Sequence, residues 1–372
     1  MTEMIAATFR ARWSVAFSIS LVLVPLGSEA QEMGVEDYNP RSTLVVSGEP
    51  VTRAKFPFID VHGHQRGGQS AEALARLVGE MDGINLAVMV NLSGGYGDRL
   101  AGTISSIEGA YPGRFVTFAN VDFNGIGEDG WSERATARFE ADVRSGAKGL
   151  KIFKNLGMTL RDSNGERVPV DDPQLDPIWA KAGELGVPVL IHTGDPAEFW
   201  QPLDAENERW LELKLRPRRK RDPATEISFE DLMAEQHSIF RKHRETTFIA
   251  AHLGWLGQDL GRLGELFDEL PNVNAGLGAV IYEMGRQPRF AHDWLVKYQD
   301  RILMGKDSWN AEEFHTYFRV FETADDYFPY YRKYHAFWSM YGLDLPDDVL
   351  RKIYYQNALR IIPGIDRGRF PE

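Results

Sequence analysis

The sequence predicts a (β/α)8 TIM barrel, an α/β fold, from three observations. Eight short apolar runs recur between residues 56 and 305, longer amphipathic stretches separate them, and several runs are apolar at consecutive positions. Parallel strands buried on both faces read in this continuous way, as in Leu86-Ala87-Val88-Met89-Val90. Eight strand–helix alternations over about 300 residues fit a closed barrel with its helices outside. A doubly wound open sheet is the alternative, and it would normally be shorter.

The elements follow in order. Arg10 and Arg12 precede an uncharged run of apolar and small residues over 13–27, and Ser28-Glu29-Ala30 puts small residues where a signal peptidase reads them. This is the pattern of a secretory signal over residues 1–30, cleaved after Ala30. The run is about 15 residues long, short of the roughly 20 that span a bilayer, which leaves a transmembrane anchor as the weaker reading. Residues 31–55, with Pro40 and Pro50, read as an arm or linker, and residues 56–372 as the barrel domain. Export to a bacterial periplasm or beyond suits a chain without cysteine.

Strands are expected at 56–61, 84–92, 114–121, 147–153, 187–192, 246–252, 272–275 and 301–305. The seventh is the weakest, being short and polar. Helical patterns lie between them, for example at 70–81, 132–144 and 229–241. Two connections exceed what a barrel needs: a long loop over 193–228 after strand five, and extra helices over 308–345 after strand eight. Both leave the C-terminal ends of strands, where barrel sites lie. The second carries Phe314, Tyr317, Tyr330, Tyr334 and Trp338, among other aromatics. It reads either as a helical pair packed on the barrel or as a pocket wall. A last helix near 347–360 stops at Pro363-Gly364.

Composition limits the chemistry. Hydrophobic residues make up 43% and charged residues 26%, enough for a core that needs no staple. A formal charge of −12 argues against nucleic acid or an anionic membrane as partner. With no cysteine, any metal must be held by nitrogen and oxygen. The basic run Arg216-Pro217-Arg218-Arg219-Lys220-Arg221 is then a solvated loop, or a guide for an anionic substrate, since it follows strand five. Trp200 and Trp210 in the same connection either cover the site or pack in the core.

The histidines carry the functional signal. Of nine, His62, His64, His192 and His252 fall at predicted strand ends, joined by Asp307 after strand eight. His62 and His64 are two apart on an extended chain, so both rings can face one ion. Imidazoles with a carboxylate suit Zn²⁺ or a similar first-row ion. Each element alone is a weak sign, because a lone histidine after an apolar run is commonly a core residue. Their joint placement on one rim is what predicts a metal. His237, His243, His292, His315 and His335 read as structural or solvated, with His315 and His335 the two that could line a pocket.

The motifs Phe58-Ile59-Asp60-Val61-His62-Gly63-His64, Gly149-Leu150-Lys151-Ile152, Ile191-His192-Thr193-Gly194-Asp195-Pro196, Ala251-His252-Leu253-Gly254 and Leu303-Met304-Gly305-Lys306-Asp307-Ser308 resemble the amidohydrolase-related family. That is the branch of the amidohydrolase superfamily with aminocarboxymuconate-semialdehyde decarboxylase and 2-pyrone-4,6-dicarboxylate lactonase. The late Asn357-Ala358 pair is similar to the family's final helix, and the resemblance spans roughly residues 56–362. Lys306 and Gln356 depart from the family pattern, which has a small residue and a glycine there. Lys306 is expected to point away from Asp307, as strand neighbours do.

The resemblance implies that His62, His64, His192 and Asp307 hold one divalent ion, zinc foremost and manganese second. It implies that His252 orients or deprotonates the attacking water or polarises the substrate, and that Asp307 relays the proton. Lys151 lies where some superfamily members carry a carboxylated lysine bridging two metals. Lys151 and Lys154 are otherwise expected to bind a substrate carboxylate or to pair with rim acids. The implied function is a hydrolase in which metal-bound hydroxide attacks an ester, lactone or amide-type bond of a small, anionic organic acid. A metal-dependent decarboxylase on the same site and a catalytically inactive metal-binding barrel are the alternatives. Homo-oligomers are expected by analogy alone.

Overall fold

The computed structural model describes residues 33–46, 48 and 50–371. The predicted signal lies outside the described residues. Within the described part of residues 1–40, Asp37 and Tyr38 close a turn by donating their N–H groups to Gly34 O at 3.0 and 3.1 Å. The chain from Arg41 is a separate unit.

In that unit parallel strands and helices alternate in the predicted order. They are β1 (Phe58–Gly63), α1 (Ala71–Gly83), β2 (Leu86–Asn91), α2 (Gly97–Ile107), β3 (Phe115–Thr117 and Ala119–Asn120), α3 (Trp131–Arg144), β4 (Leu150–Ile152), α4 (Asp176–Glu184), β5 (Val189–Ile191), α5 (Phe229–Lys242), β6 (Phe248–Ala250), α6 (Leu260–Glu269), β7 (Val273–Gly276), α7 (Pro288–Lys297) and β8 (Ile302–Leu303). All eight predicted runs form strands, and the short polar seventh is among them. The helices turn one apolar stripe inward, as Leu74, Leu77, Val78 and Met81 do in α1, and Ser70 caps that helix by accepting from Ala73 N.

Each strand pairs in parallel with its neighbour from β1 to β8. Phe118 splits β3, yet Phe118 N donates to Asn91 O and Ala119 N to Gly149 O, both at 2.9 Å, so the sheet continues through it. Two backbone bonds join β1 to the chain just past β8: Val61 N to Met304 O at 3.0 Å and Asp307 N to His62 O at 2.9 Å. The buried Asp60 braces this seam, its Oδ1 accepting from His62 N at 2.9 Å and Lys306 N at 3.1 Å. These bonds bring the end of β1 against the chain that follows β8, at the rim that carries the site.

The segment after β8 differs from the expected helical pair. It forms one helix, α8 (Phe314–Glu322), then a two-residue antiparallel ladder of β9 (Phe328–Pro329) and β10 (Ser339–Met340). A second helix fails for local reasons. Pro329 lacks an N–H, and Tyr327 and Phe337 take positive φ angles of 48° and 53°. The aromatics divide accordingly. Phe314 and Phe318 each lie 5.5 Å from Phe58, ring to ring, and pack α8 onto β1. Tyr330 and Trp338 instead gather around Tyr282 at the rim, at 5.6 and 4.7 Å.

The last helix, α9, runs through Asp347–Arg351, a widened π turn at Lys352–Gln356, and Asn357–Ile361. The wide turn frees Ile353 O to accept from Met304 N at 3.0 Å. Asn357 Nδ2 donates to Gln299 O and Ile302 O at 2.7 and 2.8 Å, which ties the helix to β8. Gln356 faces solvent, so its departure from glycine disturbs no packing.

Candidate metal centre

The extended end of β1 presents His62 and His64 on one side, as their spacing requires. Gly63 fits between them because a Cβ there would stand 2.5 Å from Met89 Cγ. The Nε2 atoms of His62 and His64 lie 3.8 and 3.4 Å from Asp307 Oδ1. These three residues offer ligand atoms within 4.8 Å of one another. His64 Nδ1 is hydrogen-bonded to Ser93 Oγ at 2.9 Å. His62 is buried, and its Nδ1 has no hydrogen-bond partner among the described residues. A Cβ at Gly278 would come within 2.8 Å of that atom, so glycine is needed to let the ring in. Asp307 sits at a φ of 85°, a strained state for aspartate that costs ~1–3 kcal/mol and tends to occur at functional sites.

His192 and His252 form a second pair. The register of β5 against β6, Ile191 opposite Ala250, places both just past their strand ends. His192 Nε2 donates to Gly194 O at 3.1 Å and His252 Nδ1 to Gly278 O at 2.6 Å. A carbonyl only accepts, so each neutral ring carries its proton on that nitrogen. The remaining lone pairs, on His192 Nδ1 and His252 Nε2, then face each other at 3.2 Å. Opposed lone pairs are repulsive unless a cation or a proton lies with them. A ring that donates its second nitrogen to a carbonyl is the usual arrangement of a metal-bound histidine. His252 reaches this position through a left-handed turn, with φ angles of 57° at His252, 55° at Leu253 and 56° at Trp255. Trp255 stacks on the His252 ring at 4.6 Å. The rings of His62 and His252 are 4.8 Å apart, which links the two groups.

The charge states agree with ligation. Burial pushes the pKa of His62 and His192 well down, and nearby Lys151 and His252 add to it. Burial likewise lowers His252 to about 4. For Asp307, burial pulls upward, but the bond from His64 and the charges of His252, His64 and Lys151 prevail and hold it at about 2. Neutral imidazoles and an ionised carboxylate are the forms that bind a divalent ion. The Nε2 atoms of His62 and His64 beside Asp307, the facing lone pairs and this N/O donor set together fit such an ion.

The five strand-end residues thus come together, with His192 standing beside His252 rather than inside the compact trio. The two lysines part ways. Lys151 is buried, with Nζ lacking a hydrogen-bond partner among the described residues, and burial lowers it to about 7 against the pull of Asp307. Lys154 lines the cavity but is ion-paired with Asp195. Lys306 turns away from the site as expected, donating to Ser308 O and pairing with Glu313.

A cavity of about 150 Å³ opens beside His192, His252 and Asp307. Of its far-chain walls, the sequence singled out only His335 and the basic run that holds Arg219. From the connection after β5 come Arg209, Glu212 and Arg219; from that after β8 come Arg332 and His335. The basic run is therefore not simply solvated: Arg219 pairs with buried Glu212, and Arg221 with Asp195. Trp200 packs in the core, donating Nε1 to Ile227 O at 2.8 Å, and the tryptophan at the site is Trp255. His335 lines the cavity and His315 is not among its lining residues.

The sequence pattern of the family described as Amidohydrolase matches residues 51–364, more than half of the chain. None of the curated proteins matches significantly. Solved structures similar to this chain include 2,6-dihydroxybenzoate decarboxylase in complex with 2,6-dihydroxybenzoate, at 15% identity and a TM-score of 0.54 over 82% of this chain and 99% of that one. A putative amidohydrolase from Staphylococcus aureus is 16% identical, with a TM-score of 0.52 and the same coverage of 82% and 99%. An uncharacterised TIM-barrel protein from Bordetella bronchiseptica is 15% identical, with a TM-score of 0.51 over 82% and 97%. At these identities the likeness is one of fold.

Proposed function

The chain belongs to the amidohydrolase family, and from that premise we propose a metal-dependent hydrolase that cleaves an ester, lactone or amide-type bond of a small organic acid. The observation that carries the reading is the pair of facing lone pairs on His192 and His252 next to the His62–His64–Asp307 trio. His62, His64, His192 and Asp307 would hold one ion, zinc first and manganese second. When bound, the ion supplies a Lewis acid that polarises a carbonyl and makes water more acidic. Asp307, kept ionised, accepts a proton from water on its free carboxylate oxygen and returns it to the leaving group. His252 keeps its Nδ1 proton on Gly278 O, which fixes its Nε2 as the atom facing the reacting groups. The small cavity, lined in part by residues from both long connections, limits water around the bond being cut. The order of basic, apolar and small residues over 1–30 supports an exported enzyme.

One observation favours non-oxidative decarboxylation as a second reading. The cavity carries Arg209, Arg219 and Arg332, and such cations hold a carboxylic acid equally well. A panel of lactones, esters, amides and aromatic acids, run with the metal-replete protein, separates the two. Hydrolysis releases a new acid without gas, whereas carbon dioxide release would replace the first reading with the second. Bound metal with no turnover on any member would leave a metal-binding barrel.

A further inference from the structure

The mechanism above makes no use of His335, yet no other buried group in the cavity is as poorly satisfied. It is 3% exposed, and neither ring nitrogen has a hydrogen-bond partner among the described residues. Glu212 Oε1 lies 3.7 Å from Nε2, beyond hydrogen-bond reach. The ring is held edge-on against Tyr282 and Trp338 at 5.6 and 5.7 Å, so it is not free to turn toward bulk water. A buried donor and acceptor left empty cost about 1–3 kcal/mol each unless something fills them.

The charge around the ring is unbalanced. Glu212 is fully buried and already shared by Arg209 and Arg219. Arg332, three residues before His335 in sequence, shares Glu313 with Lys306 and otherwise donates to Ser308 Oγ at 3.0 Å. Each acid is thus shared between two cations. Arg332 and Arg219 both line the cavity along with His335, and Arg209 completes the wall. Burial, with the charges of Arg209, Arg332, Arg219 and Arg216, keeps His335 neutral, lowering it to about 2. A neutral ring donates one hydrogen bond and a guanidinium donates in a fork, the combination that a planar carboxylate accepts.

We propose that His335 and Arg332, which line one cavity with Arg219, bind a carboxylate of the substrate and so set which acids the enzyme accepts. This deepens the hydrolase reading and rests on it for the word substrate. The carboxylate is not the bond that reacts, so the substrate carries an acid group in addition to its reactive carbonyl. The cavity, about 150 Å³, is below the ~300–1,000 Å³ of sites for drug-sized ligands, and calls for a compact molecule. The specificity end is supplied by the segment after β8, apart from the strand ends that would hold the metal. Lys151 and Lys154, expected from the sequence to take this part, are respectively outside the cavity lining and committed to Asp195.

The experiment is calorimetric titration of the purified full chain with succinate, benzoate and inorganic phosphate as probes. It is run on the parent protein and on His335→Phe, Arg332→Met and His64→Ala, with metal content and thermal melting measured for each. Binding of succinate or benzoate that weakens about tenfold or more in His335→Phe and in Arg332→Met, and survives in His64→Ala, is expected. His335→Phe keeps the packing, so a folded variant with undiminished binding would overturn the proposal. Binding lost in His64→Ala but kept in His335→Phe would assign the carboxylate to the metal and overturn it too. Failure of the parent to bind either acid, or binding of phosphate alone, would do the same. The hydrolase reading fails separately, through absent metal or absent turnover in the parent, while the titrations still decide the role of His335.

Discussion

The strand ends and the two long connections build the same cavity by different routes. His62, His64, His192, His252 and Asp307 are placed by backbone register: each stands within a few residues of a strand whose partner fixes it, as Ile191 opposite Ala250 fixes the second pair. Arg209, Glu212, Arg219, Arg332 and His335 stand on no strand of the barrel. They are placed by ion pairs and ring contacts with one another, such as Arg209 stacked over Tyr282 and Trp338 at 5.1 and 5.3 Å. Register is repeated around the barrel and resists change at one position. A wall held by its own side chains changes with any one of them. The rim is thus suited to keep a chemistry, and the wall to alter what it acts on.

The contrast can be broken most directly at the rim. In His62→Ala/His64→Ala, elemental analysis should show bound metal falling from about one equivalent to near none, and turnover falling on the order of 10³-fold or more. Retained metal would move the centre elsewhere. Chelation of the parent should reproduce the loss, and added zinc or manganese should restore activity. His252→Gln should keep the metal and lower kcat by ~10²–10⁴-fold. If only KM changed, His252 would belong with the wall rather than with the rim.

At the wall the expected effect is on stability first. Glu212 has no exposed side-chain area and separates Arg209 from Arg219. Glu212→Gln leaves two cations without their counter-charge and should cost about 3 kcal/mol in urea unfolding. A smaller loss, about 1–3 kcal/mol, is expected for Asn357→Ala, which strands the Gln299 and Ile302 carbonyls at the base of β8 without touching the site.

A histidine outside both regions gives the mildest test. Burial, aided by Arg262 and Arg241, lowers His237 to about 4. The unfolded chain takes up this proton near 6.5 and the folded chain does not until about 4. Its contribution to stability is therefore complete above pH 6.5 and declines as the pH falls toward 4. His237→Phe should flatten the acid side of the stability profile in that window, with metal content and turnover unchanged. An unaltered profile would mean that the proton is taken up elsewhere.

The fold was legible because parallel strands buried on both faces leave uninterrupted apolar runs, and because short runs of that kind returned eight times. The five polar residues at strand ends were legible for the same reason, since in a barrel the end of every strand lies on one rim. The departure at Lys306 was also readable from strand alternation, and its side chain does leave the site for Glu313. Asp60 was visible inside the first motif, but nothing in a linear pattern says that a buried carboxylate will bridge β1 to the chain 246 residues later.

The sequence by itself determined the barrel, the rim and the donor set, because backbone periodicity is local and carries side-chain direction with it. Only the tertiary structure decided that the segment after β8 makes one helix instead of two, that Arg219 and Arg221 turn inward, and that His335 faces the cavity unpartnered. Those outcomes depend on pairings between charges and rings far apart in the chain, and neither composition nor spacing records which partner a side chain will find.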